Sequence, residues 1–164
     1  MKHYGRGPYM KPYRFPPGFI LIQDSREQLP LFEDLPNGLI IDIKALKFGD
    51  YSIKGFETKF SVERKQMSDL YSYVGKERAR TVKKLEQLRK LDFAALIIEV
   101  SFEDLKIPYS FSSRITPEMI RQFIVSVNVR YGVHVYCDKD RGNLEMYLLD
   151  RAIKYYRIQR EVER

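Results

Sequence analysis

Strand-length apolar runs alternate along this chain with helix-period segments, which predicts an α/β domain with a mixed central β-sheet flanked by α-helices. Three observations carry that prediction. Ala94–Val100 is an apolar run of strand length, interrupted only by Glu99, as expected of a strand buried inside a sheet. Residues 68–91 carry a helical pattern with a break near Gly75. Thr116-Pro117-Glu118 is a helix start, with Thr as N-cap and Pro in the first turn.

The remaining elements follow in order. Residues 1–18 read as a basic, Tyr/Pro-rich flexible arm, because Gly5, Gly7, Pro8, Pro12, Pro16, Pro17 and Gly18 prevent regular structure. Tyr4, Tyr9, Tyr13 and Phe15 lie between its basic residues and suit either stacking on bases or packing on the domain. The domain proper is assigned to residues 19–164. Phe19–Ile22 is a first strand, followed by Asp24-Ser25-Arg26-Glu27 and a loop holding Pro30. Leu39–Leu46 is a second, and the Gly49-Asp50 turn leads into Tyr51–Ile53. Phe60–Val62 begins a strand that runs into Glu63-Arg64-Lys65. After the buried run comes a loop over 101–115, then the Thr116 helix, stopped near Tyr131 by Gly132. Val133–Cys137 alternates as a strand, and Asp140-Arg141-Gly142-Asn143 leads into a last helix reaching about Arg160. Ile120, Phe123, Ile124, Tyr147, Leu148 and Tyr155 on the two late helices are candidates for core or for a homodimer face, with core favoured.

Composition narrows the function classes. The 164 residues suit one domain with its own core. A single cysteine, Cys137, excludes an internal disulfide framework and a multi-cysteine zinc site. It suggests a reducing compartment, hence cytoplasmic, or nuclear in a eukaryote. No apolar run has the length of a membrane span and no secretory h-region is visible, so no membrane partner is expected. No GxxxxGK[ST] loop is present, so no nucleotide cofactor is expected. The net charge of +7 is concentrated. Residues 1–18 carry Lys2, Arg6, Lys11 and Arg14 without an acid, and residues 74–90 carry Lys76, Arg78, Arg80, Lys83, Lys84, Arg89 and Lys90 against Glu77 and Glu86. The rest is slightly acidic. Two such patches suit a polyanion, while a solvated helix face explains the second equally well. On a helical wheel Lys76, Arg80, Lys83, Gln87 and Lys90 share one face, and Arg78 falls beside Val82 and Leu85 on the inward side, where it is expected to pair with a carboxylate or face the cleft. His134 reads as a structural strand residue and Cys137 as a small apolar one.

The chemistry-bearing residues are Asp24, Asp50 and Glu63, acids at strand ends or turns. A hard divalent cation takes oxygen ligands, and Mg²⁺ needs only a few carboxylates beside waters and substrate phosphate. Glu63 and Lys65 point to the same side of a strand because side chains repeat every two residues. A metal-holding carboxylate with an ammonium beside it positions and activates a water. Arg64 points to the other side, placed to brace a carboxylate or reach a phosphate.

These residues resemble the signature of the XPF-type structure-specific endonucleases, a branch of the restriction-endonuclease-like nucleases. Gly49-Asp50, then Val62-Glu63-Arg64-Lys65, then Asp69 four residues after the lysine match the family pattern. Asp24, Arg26 and Glu27 match its upstream Asp-x-Arg-Glu, and Leu96-Ile97-Ile98-Glu99-Val100 matches its apolar strand ending in an acid. The likeness spans roughly residues 19–155 and implies a restriction-endonuclease-like fold. By resemblance, Asp50 and Glu63 are metal ligands with a backbone carbonyl near Arg64 as a third, and Asp24 is a further acidic contributor. Lys65 is the catalytic lysine and Arg64 belongs with the catalytic set. Arg26 and Asp69 support the site, and Arg78, Arg80, Lys76 and Lys83 are DNA-binding candidates.

The resemblance implies a divalent-metal-dependent DNA endonuclease, using Mg²⁺ or Mn²⁺ to hydrolyse phosphodiesters at branched, flap or junction DNA. The alternatives are a non-catalytic DNA-binding member and a nuclease subunit dependent on a partner protein. Retention of Asp50, Glu63 and Lys65 favours the enzyme. Larger family members add a helix-hairpin-helix or helicase module, and neither is expected in this sequence. A homodimer through the nuclease domain is a further implication.

Overall fold

A computed structural model describes residues 12–110 and 113–163. Most of the basic arm, including Lys2, Arg6 and Lys11, lies outside the described residues. Its described end packs on the domain: Tyr13, Phe15 and Phe19 stack in sequence, and Tyr156 donates a hydrogen bond to the Pro17 carbonyl at 3.1 Å.

Six strands form one sheet, β1 (Leu21–Asp24), β2 (Ile41–Lys44), β3 (Tyr51–Ile53), β4 (Phe60–Lys65), β5 (Phe93–Ile98) and β6 (His134–Cys137), in the spatial order β2-β1-β3-β4-β5-β6. Pairs β1/β3 and β3/β4 are antiparallel, whereas β1/β2, β4/β5 and β5/β6 are parallel, which confirms the mixed sheet. Helices α1 (Met67–Val74), α2 (Arg78–Leu88) and α3 (Pro117–Val129) cover one face, and α4 (Arg141–Val162) covers the other.

The two-residue alternation of β5 decides this layering. Ala95 and Ile97 join a core with Leu144, Leu148 and Ala152 of α4, while Ala94, Leu96 and Ile98 join a second core with Leu70, Leu85 and Ile120 of α1–α3. A strand buried on both faces reads as a continuous apolar run, which is why the segment stood out in the sequence. Both late helices begin at side-chain caps: Thr116 accepts from the Met119 N–H and Asp140 from the Asn143 N–H. Gly75 separates α1 from α2, as the sequence pattern predicted.

The late-helix apolar residues go inward. Ile120, Tyr147 and Leu148 are buried, and Phe123, Ile124 and Tyr155 pack against the two cores. His134 stacks on Phe93 with centroids 5.0 Å apart, and burial pushes the Cys137 thiol up to about 11, keeping it unreactive. Among the described residues no helix is long and apolar enough to cross a membrane.

Candidate active site

The site is assembled where β1, β3 and β4 end side by side. Asp50 occupies the turn into β3 because Gly49 turns the chain at φ +67°, a conformation in which a Cβ would lie 2.2 Å from Ser61 Oγ and 2.9 Å from the Val62 carbonyl oxygen. The turn is tied to its neighbours by backbone bonds, Asp50 N–H to the Val62 carbonyl at 2.9 Å and Asp24 N–H to the Asp50 carbonyl at 2.8 Å. The Arg64 N–H then donates to Asp50 Oδ2 at 2.7 Å, fixing the carboxylate across the strand end.

Glu63 and Lys65 share the face of β4 that looks toward α1 and α2, as their spacing predicted, with Lys65 Nζ 2.9 Å from Glu63 Oε1. Two residues absent from the sequence-derived site join them. Lys84 of α2 places its Nζ 2.5 Å from the same Oε1, and Tyr73 of α1 donates to it at 3.3 Å. Glu63 Oε2 is buried and has no hydrogen-bond partner.

The electrostatics follow from this packing. Burial, then the nearby Glu63 charge, pushes the Asp50 carboxyl up to about 7. Burial acts the same way on Glu63, but the Lys65 and Lys84 ammonium groups outweigh it and hold the carboxyl below its ordinary value. Burial would discharge Lys65, and the Glu63 carboxylate outweighs that and keeps it protonated.

Arg64 points to the opposite face. Its side chain is buried and contacts the Leu29 carbonyl and Glu99, with Glu27 at 3.8 Å. Glu99 also accepts from Arg141 at the start of α4, which reaches Glu33 at 2.8 Å. Arg64 therefore braces carboxylates on the α4 side of the sheet.

Asp24 is buried, and both its oxygens are engaged. Oδ1 accepts from the Arg26 backbone N–H and Nε, and Oδ2 accepts from Arg26 Nη2 and the Leu46 N–H. The Arg26 guanidinium holds the Asp24 carboxyl down at about 2, against the opposing effect of burial. Arg26, Asp50, Lys65 and Asp69 line one open cleft of about 290 Å³ together with Gln28 and Gln66. Asp69 accepts from the Gln66 N–H at 2.9 Å in a capping box that starts α1 directly after the Lys65 strand end.

The basic helix differs from its sequence reading. Arg78 and Val82 are solvent-exposed, not inward, and the buried stripe of α2 is Thr81, Leu85 and Leu88. The register is set by where α2 meets the second core, which a wheel cannot locate. Arg78 instead lines a groove of about 300 Å³ between α1–α2 and α3, with Tyr73, Phe123 and Arg130. Arg80, Lys76 and Lys83 face solvent, and Arg80 lies 4.0 Å from Glu77. A signal for Lys84 did exist: it lies three residues after Thr81 and four before Leu88, on the stripe that packs inward.

Among the described residues no three His, Cys, Asp or Glu side chains cluster as a metal cage. The donor set still fits a hard divalent ion. Asp50 and Glu63 are like-charged neighbours, one of them raised by the other's charge, and a buried Glu63 oxygen lacks a donor. Mg²⁺ sites are built in this way from one or two carboxylates completed by water and phosphate oxygens.

Comparisons with known proteins place this geometry. XPF from Aeropyrum pernix superimposes with a TM-score of 0.65 at 20% identity, over 87% of this chain and 68% of that one. XPF from Aeropyrum pernix in complex with DNA gives a TM-score of 0.62 at 18% identity, over 84% of this chain and 64% of that one. No curated protein matches. The family profile of the ERCC4 domain matches residues 23–142, a span that runs from β1 to the first turn of α4 and contains every residue of the carboxylate site. The chain belongs to the ERCC4 domain family and shares the restriction-endonuclease-like fold of the Aeropyrum pernix XPF.

Proposed function

We propose that this protein is a divalent-metal-dependent DNA endonuclease that hydrolyses phosphodiester bonds at branched, flap or junction DNA. The observation that carries the reading is the Asp50–Glu63 pair, with one buried oxygen left without a donor and a protonated Lys65 at 2.9 Å from the other. Asp50 and Glu63 would hold Mg²⁺ or Mn²⁺, which supplies Lewis acidity toward a phosphoryl oxygen and a more acidic water. Asp24 serves from outside this pair by holding Arg26, whose Nε and Nη2 are spent on Asp24 and the Leu46 carbonyl and whose side chain, 73% exposed at the cleft, leaves Nη1 to meet a phosphate.

Lys65 contributes as an ammonium. Held protonated by Glu63, it donates hydrogen bonds to a nucleophilic water or to the charge developing on the phosphoryl group, and does not take up the proton itself. Arg78 and Arg130 at the α2–α3 groove offer cationic contacts to the strand beyond the cleft, where Tyr73 forms a wall shared with the carboxylate site. The complex with DNA recorded for the Aeropyrum pernix XPF supports the polyanionic partner.

A panel of labelled flap, fork, hairpin and linear DNAs, incubated with Mg²⁺, Mn²⁺ or EDTA, tests the reading. Metal-dependent cuts near a junction, lost in Asp50→Asn and in Lys65→Ala, are expected. Full activity in EDTA or in either variant overturns it. Tight fork binding without cleavage under both metals assigns the chain to a non-catalytic, DNA-binding role.

A further inference from the structure

We propose that Lys84 is a built-in counter-ion of the carboxylate site, seated on Glu63 until a divalent cation binds and then turned outward to a substrate phosphate. The inference rests on the metal-dependent reading above and deepens it.

The two lysines on Glu63 are redundant in charge and unlike in attachment. Both Nζ atoms address the same oxygen, at 2.9 Å for Lys65 and 2.5 Å for Lys84, while Oε2 receives nothing. One ammonium neutralises Glu63. The second compensates the remaining negative charge of the Asp50–Glu63 pair, which is the charge a divalent ion would satisfy. Lys65 is held in place on β4, with a side chain only 16% exposed. Lys84 arrives from a different element and its side chain is 41% exposed, so its flexible stem opens to solvent. Tyr73 flanks both, its ring 5.1 Å from Lys65 Nζ and 6.0 Å from Lys84 Nζ, and its hydroxyl 3.3 Å from Lys84 Nζ.

A divalent cation beside two ammonium groups is repelled by both, so metal entry favours departure of the one with room to leave. Lys84 has that room. From α2 its released ammonium emerges beside Arg80, one turn earlier on the helix and exposed to solvent. Metal occupancy and an added phosphate contact are then the same event, and Lys84 acts as a positioning residue that competes with the metal for Glu63.

The test is Mn²⁺ binding to the whole chain without DNA, read by the electron paramagnetic resonance of free Mn²⁺, for wild type, Lys84→Met, Lys84→Gln and Lys84→Arg. Removing one competing positive charge is expected to tighten Mn²⁺ binding about tenfold in the Met and Gln variants. Lys84→Arg, which keeps the charge, is expected to stay near wild type. Two uncharged variants of different length guard against misfolding of either, and circular dichroism confirms that each is folded. Mn²⁺ affinity unchanged or weakened in both folded variants overturns the inference and leaves the nuclease reading intact. Wild type that binds no Mn²⁺, indistinguishable from Asp50→Asn, overturns both.

Discussion

Glu63 and Arg64 are neighbours on β4, yet their surroundings are opposite in kind. On the α4 side, Arg64 meets Glu99, Glu99 meets Arg141, and Arg141 meets Glu33, so positive and negative groups alternate along a chain of ion pairs. On the α1–α2 side, two ammonium groups crowd one oxygen of Glu63, the other oxygen is bare, and Asp50 is pushed up to about 7. The first arrangement balances its charges within the protein, though the buried Arg64 Nε lacks a partner, and it fixes the strand ends. The second is left incomplete by the protein and is suited to an ion and a phosphate from outside. A like-charged carboxylate pair with one oxygen left without a donor marks the functional side of the strand.

The comparison breaks most sharply at Asp50. Asp50→Asn is expected to lower metal-dependent cleavage about a thousandfold or more. The same substitution should stabilise the metal-free fold at pH 8 by about 2 kcal/mol, because it removes an ionised carboxylate held beside Glu63. Chemical denaturation in EDTA checks the second half, and a destabilised variant would show that the Asp50 side is not strained after all.

On the bracing side the sign reverses. Arg64→Ala leaves Glu99 with Arg141 alone, empties a buried position, and should cost about 2–4 kcal/mol with or without metal. Gly49→Ala, forced against Ser61 and the Val62 carbonyl at a positive φ, should cost about 1–3 kcal/mol. It should also weaken Mn²⁺ binding, since the same turn carries Asp50. Arg141→Gln touches a more open part of the network and is expected to cost only about 1 kcal/mol.

A pH series sharpens the contrast further. A carboxyl raised to about 7 in the folded state binds more protons folded than unfolded, so Asp50 makes the metal-free protein less stable as pH climbs from about 4 to 7. Glu63, lowered by its lysines, works the other way and loses its contribution as pH falls through its own depressed range. Thermal melts in EDTA should therefore fall in Tm from mildly acidic to neutral pH, and that slope should flatten in Asp50→Asn. An unchanged slope in the variant would assign it to another group.

Much of this was legible in the sequence because it is local. The Gly49-Asp50 turn, the shared side of Glu63 and Lys65, the opposite side of Arg64 and the cap at Thr116 follow from periods of two and from turn and cap chemistry. Arg78 was misplaced for the opposite reason. The inward face of α2 is chosen by the core it joins with Leu70, Leu96 and Ile120, residues of three other elements. Lys84 and Tyr73 escaped for the same reason: the spacing of Lys84 from Thr81 and Leu88 carries a signal only once the docked helix shows that their stripe is the inward one.

The sequence by itself determined the α/β class, the order of its elements and the acids and lysine of the β4 motif, because each depends on residues a few positions apart. Only the tertiary structure decided that Asp24 serves Arg26, that Arg64 serves Glu99, and that Lys84 of α2 reaches Glu63 of β4. Charge pairing across elements depends on which ends the sheet order brings together, and that order is set by burying two cores at once.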